Sequence, residues 1–176
     1  MNKKASPFHP SVWIAYWLSC LCSFACYADL HLDENFSAQR LAPEISYICG
    51  DENHYTLNEA KRLNFAPITH KEISFGFTQS DCWFHFRATN TGDKPLALVL
   101  SSDFNLFDHL DFYIPSSGKI VKKSIGDTIS YNQRELKVRT LSIPFTINAK
   151  ETHDYYLHAK TSSTFYLPLQ LSSCVY

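Results

Sequence analysis

The feature that most constrains the fold of this chain is a two-residue period of apolar side chains between Cys82 and Leu171. Its first segment separates an apolar set of residues from a mixed set: Cys82, Phe84, Phe86 and Ala88 alternate with Trp83, His85, Arg87 and Thr89. A period of two places alternate side chains on opposite faces of a β-strand. This segment therefore predicts a strand with one face in the core.

Comparable segments follow, separated by turn residues such as Asn, Gly, Ser and Pro. They are Leu96–Leu100, Leu110–Ile114, Lys119–Lys123, Leu141–Ile147, Tyr155–Ala159 and Phe165–Leu171. Leu96–Leu100 is apolar at every position, which favours a strand buried on both faces. Pro144 cannot donate a ladder hydrogen bond, so its strand is expected at a sheet edge or at a bulge. About seven to nine short strands predict a mostly β fold, and long connections favour a jelly-roll β-sandwich.

The residues before Cys82 are less regular. Thr56-Leu57-Asn58-Glu59 has the sequence of a capping box and predicts a helix over Leu57–Leu63. A short strand is expected at Ile45–Cys49, and residues 29–40 are expected to be an irregular lead-in to a single domain over 41–176. Phe75-Gly76-Phe77 is interpreted as an aromatic turn that joins the helix to the sandwich.

Residues 1–28 have the pattern of a secretory signal peptide. Lys3 and Lys4 precede an uncharged apolar run, and Cys26-Tyr27-Ala28 provides small residues for cleavage after Ala28. This predicts a periplasmic or secreted protein, and the alternative is an uncleaved membrane anchor. The formal net charge of -1 argues against a nucleic-acid partner, because such proteins usually carry a basic face.

Cleavage after Ala28 leaves three cysteines, Cys49, Cys82 and Cys174. In an oxidising compartment one disulfide among them is possible, and the sequence does not determine which pair forms it. Small buried hydrophobic residues are the favoured interpretation of Cys49 and Cys82. The spacing fits no zinc motif, and no cofactor or metal is predicted.

A carbohydrate-like small ligand is predicted from aromatic and charged residues that alternate with the apolar ones. The outward-pointing set consists of Trp83, His85 and Arg87 on the first strand, and of Asp111, Tyr113, Tyr156, His158 and Tyr166 in the polar registers of other strands. If these strands are neighbours, the set forms an aromatic and charged concave surface. Sugar binding requires aromatic faces for stacking and polar groups that fix hydroxyls. The alternative is that Trp83 packs beneath the N-terminal helix as part of the core.

Three further charged residues are candidate ligand contacts. Asp127 and Arg134 bracket a polar loop, where a bidentate ion pair between them would fix the loop. In the functional interpretation, Arg134 or Arg139 binds an acidic sugar or another carboxylate. Asp103, Asp108 and Asp111 offer oxygen ligands for calcium, but solvated acids are the favoured interpretation.

Catalysis has little support in the sequence, so a non-enzymatic protein is expected. The eight histidines form no Ser-His-Asp arrangement and no metal-ligand spacing. The principal function hypothesis is a ligand-sensing or binding domain. The alternative is a protein-interaction module that docks on a membrane sensor partner.

A family resemblance covers nearly all of the chain from about Leu41 to Leu171. It rests on the order and spacing of several short motifs: Thr56–Glu59, Phe75-Gly76-Phe77-Thr78, Trp83–Phe86, Phe107–Tyr113, Gly126-Asp127, Arg134, Pro144-Phe145, Tyr156-Leu157, Lys160–Ser163 and Pro168-Leu169. In these the chain resembles the 7TMR-DISM extracellular domain, type 2, a periplasmic sensor domain of bacterial seven-transmembrane signalling receptors.

The resemblance implies a jelly-roll sandwich similar to carbohydrate-binding modules and a ligand-sensing role. In such receptors the domain usually precedes seven membrane helices and an output domain such as a diguanylate cyclase or histidine kinase. This sequence reaches Tyr176 without such a segment. The chain is therefore expected to act as a free binding protein, a fragment, or a receptor part whose membrane partner is a separate receptor, sensor kinase or cyclase.

Overall fold

The computed structural model describes residues 29–50, 54–78 and 80–174. Thirteen β-strands lie in these residues. The strands are β1 Asp29–Leu32, β2 Ala38–Arg40, β3 Ser46–Gly50, β4 Ala66–Pro67, β5 Ser74–Phe77, β6 Asp81–Asn90, β7 Leu96–Ser102, β8 His109–Ser116, β9 Lys119–Ile125, β10 Leu141–Ile147, β11 Thr152–Lys160, β12 Thr164–Tyr166 and β13 Leu169–Ser173. One α-helix, α1, spans Leu57–Ala60, and short 3₁₀ turns lie at Ala42–Glu44 and Tyr131–Gln133. The predicted signal peptide lies outside the described residues.

The larger sheet has seven strands and is organised around β6. Its order is β4-β3-β6-β11-β8-β9, and β1 joins it by pairing in parallel with the second half of β6. β11 pairs along one side of β6, whereas β3 and β1 share the other side. The longest strand thus contacts three others, and its side chains lie at the middle of the sheet.

The smaller sheet packs against the larger one and completes a β-sandwich. Its order is β10-β7-β13-β2, and β12 pairs with β5 as a separate ribbon. Aromatic rings join the two sheets, with the ring of Phe145 on β10 centred 5.2 Å from Phe112 and 5.3 Å from Tyr155. The mostly β sandwich predicted from the two-residue period is confirmed, and β10, which contains Pro144, is an edge strand as expected.

The predicted capping box is present at the start of α1. The Thr56 hydroxyl accepts from the backbone N–H of Glu59, and the Glu59 carboxylate accepts from the backbone N–H of Thr56. The helix is shorter than predicted and ends at Ala60. The N–H groups of Arg62 and Leu63 bond to carbonyls three residues back, so the helix closes in a tight 3₁₀-type turn.

Three local expectations differ from the structure. The lead-in contains β1 and β2, and Leu30 and Leu32 of β1 are buried against the sandwich core. Phe75-Gly76-Phe77 is part of strand β5, in which Gly76 has a φ of +71°. β7 is buried on one face only, because Ala97 is exposed. Long-range pairing decides all three features, and no local sequence pattern encodes it.

Cys49 and Cys82 form a disulfide between neighbouring positions of β3 and β6. The favoured interpretation of these cysteines as small hydrophobic residues is therefore wrong, although the Cys82 side chain is fully buried. Cys174 is a free, partly exposed thiol.

Candidate functional site

The candidate site is the outer face of the larger sheet, the face directed away from the sandwich core. Successive outward positions on three strands bring unusual side chains together there. These are Asp81, Trp83, His85 and Arg87 on β6, Asp154, Tyr156, His158 and Lys160 on β11, and Asp111 and Tyr113 on β8.

Trp83 is the centre of an aromatic stack on this outer face. Its ring centroid lies 4.8 Å from that of His158 and 5.4 Å from that of Tyr113, and each pair is inclined by 23°. Trp83 retains only 1% of its accessible surface, although it does not face the sandwich core. The alternative placed Trp83 beneath the N-terminal helix as part of the core; Trp83 is buried, but it lies on the outer face and outside the cluster of core side chains.

Three polar atoms in this part of the outer face are buried and form no hydrogen bond with the described chain. They are Trp83 Nε1, His158 Nε2 and Asp81 Oδ1. We call Asp81, Trp83 and His158 the polar cluster. A buried polar atom without a hydrogen-bond partner typically lowers the stability of the folded protein by about 1–3 kcal/mol, so three such atoms in one cluster are unusual and call for an explanation.

Asp81 is held by cationic and histidine side chains, although its Oδ1 atom lacks a hydrogen bond. His54 Nδ1 lies 2.5 Å from Oδ2, and His158 Nε2 lies 4.0 Å from the same oxygen. Lys160 Nζ lies 3.2 Å from Oδ1, an ion pair whose orientation is not that of a hydrogen bond. The carboxylate therefore has charge compensation but keeps an acceptor site for a further donor.

The chemistry of the polar cluster suits a hydroxyl-bearing ligand. The indole N–H of Trp83 only donates, and the carboxylate oxygen of Asp81 only accepts. Burial lowers the pKa of His158, although the negative charges of Asp81 and Asp111 oppose this effect. Its neutral imidazole presents one donor and one acceptor nitrogen.

Asp111 lies next to the polar cluster, directly opposite His158 in the pairing of β8 with β11. Burial alone would raise its pKa, but hydrogen bonds from Ser124 and Lys122 outweigh that effect, so the pKa is lowered. His109 Nε2 also lies 2.9 Å from the carboxylate. The expectation of a solvated acid is therefore wrong for Asp111, whose charge is buried and compensated.

Arg87 lies at the end of the outer face opposite the polar cluster and forms a bidentate ion pair with Asp154. Its Nε and Nη2 atoms each donate to the Asp154 carboxylate at 3.0 Å, and His85 Nε2 lies 2.8 Å from the same group. The hydrogen bond with His85, followed by that from Arg87, holds the pKa of Asp154 well below its usual range. A cleft of about 170 Å³ adjoins this pair and is lined by Lys61, Leu63, Phe65, His85, Arg87, Asp154 and Tyr156.

The remaining predicted residues lie on the loop between β9 and β10. Arg134 Nη2 donates to the carbonyl of Gly126 at 3.3 Å, and the Asp127 N–H donates to the carbonyl of Phe107. Among the described residues no Arg134–Asp127 ion pair is present, so this predicted pair is wrong. Arg139 is exposed, and among the described residues no hydrogen bond or ion pair joins Asp127, Arg134 or Arg139 to the polar cluster.

The structure thus brings together Trp83, Asp111, Tyr113 and His158, which the alternation placed on polar faces, and adds Asp81, which was not predicted as part of this surface. The two-residue period, extended one step before Trp83, directs Asp81 to the same face. The proximity of Asp81 and His158 depends on the pairing of β6 with β11, which joins segments about 70 residues apart and carries no local signal. Within the described ranges, no group of three or more His, Cys, Asp or Glu side chains is arranged to hold a metal ion.

Comparison with known protein families identifies the domain. The sequence model of the family 7TMR-DISM extracellular 2 matches residues 42–173, which is most of the chain. The chain belongs to this family. 7TMR-DISM extracellular 2 domains are the extracellular sensor-type domains of seven-transmembrane receptors, and this fits an extracellular or periplasmic location. The resemblance inferred from the sequence motifs is confirmed.

Two further findings complete the comparison. No curated protein matches the chain. Over residues 29–50, 54–78 and 80–174, no helix has the length and apolar character needed to cross a membrane.

Proposed function

We propose that this 7TMR-DISM extracellular 2 domain is a non-enzymatic sensor domain that binds a carbohydrate-like small molecule on the outer face of its larger sheet. The observation that carries the proposal is the polar cluster, whose three buried polar atoms find no hydrogen-bond partner in the described part of the chain and lie beside an aromatic stack. A sugar hydroxyl both donates and accepts, so neighbouring hydroxyls of one ring can satisfy all three atoms.

The charges around the polar cluster favour a ligand that also carries an acidic group. Lys122 and Lys160 compensate the buried acids, and each keeps about half of its side chain exposed. Lys61 lies at the adjoining cleft, with its Nζ 6.0 Å from the ring centre of Tyr156. A sugar acid placed on this face would meet both hydroxyl-binding and carboxylate-binding groups.

A binding role is preferred over catalysis because lowered pKa values hold the carboxyl groups of Asp111 and Asp154 on this face in the charged form. Asp111 has a lowered pKa, and general acid–base catalysis works best with a pKa near the operating pH. The Cys49–Cys82 disulfide supports a periplasmic or secreted location, since disulfides persist in oxidising compartments. Cleavage of a signal peptide after Ala28 is part of the same proposal.

A thermal-shift screen followed by calorimetric titration tests the proposal. The panel consists of neutral monosaccharides and the corresponding uronic acids. We expect at least one to raise the melting temperature, and Trp83→Phe to weaken its binding by about tenfold, which corresponds to one lost hydrogen bond of about 1.4 kcal/mol.

Tyr131→Phe is the matched control, because it also removes one hydrogen-bonding group from an aromatic residue but lies on the loop between β9 and β10. Its binding constant should equal that of the unmodified protein. Equal binding by Trp83→Phe, or a panel without any stabilising saccharide or sugar acid, would contradict the proposal.

A protein-interaction module is the second candidate function. It is favoured by Ile120 and Val121, which are each 42% exposed on the terminal strand β9, and by a cleft of about 400 Å³ that Val121 lines together with residues of both sheets. This function would replace the first if no saccharide stabilised the protein while a membrane receptor, sensor kinase or cyclase co-purified with it.

A further inference from the structure

We propose that residues 54–65 form a lid over the polar cluster, and that His54 latches the lid onto Asp81. The inference rests on the proposed function in one respect, since it assigns the step by which a ligand would reach the cluster. The lid itself follows from contacts on the outer face and not from the identity of any ligand.

Residues 54–65 contact the outer face near both of their ends. At the first end, His54 Nδ1 lies 2.5 Å from Asp81 Oδ2. At the second end, the ring of Phe65 is centred 5.7 Å from that of His85 and 6.2 Å from that of Tyr156. Asp81 and His85 lie two residues before and two residues after Trp83 on the same face of β6, so the segment crosses the sheet above Trp83.

The burial of Trp83 agrees with this path. A side chain on the outer face of a sheet is normally open to solvent unless another element covers it. Tyr113 and His158 flank the indole on neighbouring strands, but they originate from the same sheet and stack on it from the side. A segment that crosses above the sheet accounts for the remaining coverage of Trp83, which is only 1% exposed.

The lid is stiff in itself but weakly attached to the sheet. The capping box fixes the first turn of α1, and such a cap typically contributes about 1 kcal/mol. Ala60 is the one fully buried residue between positions 54 and 65, and Tyr55, Leu57, Leu63 and Phe65 are half-buried, so the segment has fewer buried side chains than a core strand such as β6. A segment with few buried contacts opens at low free-energy cost compared with a core strand.

Both ends of the lid are anchored by the larger sheet. Before it, the Cys49–Cys82 disulfide ties β3 to β6, and after it, β4 pairs with β3 through two residues. The lid can therefore lift while β3 stays paired with β6. Lifting would break the His54–Asp81 bond and expose the unpaired atoms of Trp83 and His158 to an incoming ligand.

Tryptophan fluorescence measures the coverage of Trp83 without any ligand. The chain contains three tryptophans, Trp13, Trp17 and Trp83. Replacing Trp13 and Trp17 by phenylalanine leaves Trp83 as the only tryptophan, whether or not the predicted signal peptide is removed, and excitation at a wavelength selective for tryptophan then reports on Trp83. We expect His54→Ala combined with Phe65→Ala to raise the acrylamide quenching constant of Trp83 several-fold and to shift its emission to longer wavelength. The far-UV circular dichroism should stay that of the folded sandwich.

His70→Ala in the same background is the control, because His70 is exposed in the loop after β4, outside the lid. Its quenching constant should remain unchanged. An unchanged constant in the folded double variant would overturn the proposal.

If the double variant unfolds, the single variants His54→Asn and Phe65→Leu decide. A rise of the quenching constant in either one supports the lid, and no rise in both contradicts it. Because no ligand enters the measurement, a protein that shows the rise yet binds no saccharide would contradict the proposed function and leave the lid standing.

Discussion

At the scale of single residues, the unusual feature is that the polar cluster is buried although it lies on the outer face of the larger sheet. Outward positions of an antiparallel sheet are normally solvated, and a buried group there must recover its lost hydration from protein partners. Trp83 leaves its single polar atom, Nε1, without a hydrogen bond in the described chain, and His158 leaves its Nε2. Both residues therefore raise the energy of the unliganded protein, and a ligand that supplied the missing bonds would lower it.

The burial of His158 predicts a dependence of stability on pH. Its folded-state pKa is lowered below 6.5 by burial, so the unfolded chain takes up a proton first as the pH falls. The free energy of unfolding should therefore decrease as the pH falls from about 6.5 toward the folded-state pKa, by at most about 1.4 kcal/mol per pH unit for one proton. Urea denaturation at pH 7, 6 and 5 measures this slope.

His158→Gln should flatten the slope in this window, whereas His70→Gln at an exposed position should leave it as in the unmodified protein. Asp154 does not affect the slope between pH 7 and 5. Because its folded-state pKa is lowered, its contribution to the free energy of unfolding is lost only as the pH falls below about 4, the usual pKa of an Asp carboxyl. An identical slope in His158→Gln and in the unmodified protein would show that His158 is not the titrating group.

The residues of the polar cluster and its surroundings also show how much of the site local sequence can predict. The two-residue period placed Trp83, Asp111 and Tyr113 on outward positions, and the structure joins all three. The pairing of distant strands decided that Asp81 and His158 belong beside them. The predicted ion pair between Asp127 and Arg134 required the two ends of the loop to place these side chains in contact. Arg134 instead donates a hydrogen bond to the backbone carbonyl of Gly126.

At the scale of elements, two local signals predicted the structure correctly, the capping box of α1 and the alternation of β6, whereas the apolar run of β7 did not. The capping box of α1 involves four consecutive residues, and the alternation in β6 needs no partner strand to be recognised. β1 and β5 were missed because each has four residues and gains its stability from a distant strand. Gly76 illustrates the difficulty, since its positive φ resembles a turn although Gly76 itself pairs with Phe165 of β12, next to a shift in the pairing register.

The elements also explain how one segment can serve both the fold and the site. α1 is too short to be stable alone, since isolated helices of fewer than about 12 residues are marginal in water. The capping box fixes its first turn, and His54 and Phe65 hold the segments on either side of it against the outer face. The proposed lid therefore depends on contacts beside the helix and not on the helix alone.

At the scale of the whole molecule, one covalent link supports the sheet beneath the site. The Cys49–Cys82 disulfide closes a loop with a sequence separation of 33 residues, and this loop contains the lid. The chain-entropy model assigns a link of this size about 3–4 kcal/mol of stability. Replacing both cysteines by alanine should lower the free energy of unfolding by at least that amount, because the buried Cys82 side chain also loses packing contacts.

Urea denaturation of the two variants measures the effect of the disulfide. Cys174→Ser is the control, since this thiol is free and partly exposed, and it should unfold at the same urea concentration as the unmodified protein. A double variant of unchanged stability would mean that the disulfide does not form in the mature protein.

The proposed binding of a carbohydrate-like ligand at the polar cluster is tested most directly at the indole N–H of Trp83. In ¹⁵N-labelled protein with Trp13→Phe and Trp17→Phe, this group gives one resonance, which can be followed during titration with the saccharide or uronic acid that raises the melting temperature most. We expect a saturable shift of this resonance with the same midpoint as the calorimetric titration. A resonance that stays in place while the sugar saturates the protein would put the binding site elsewhere and contradict the proposal.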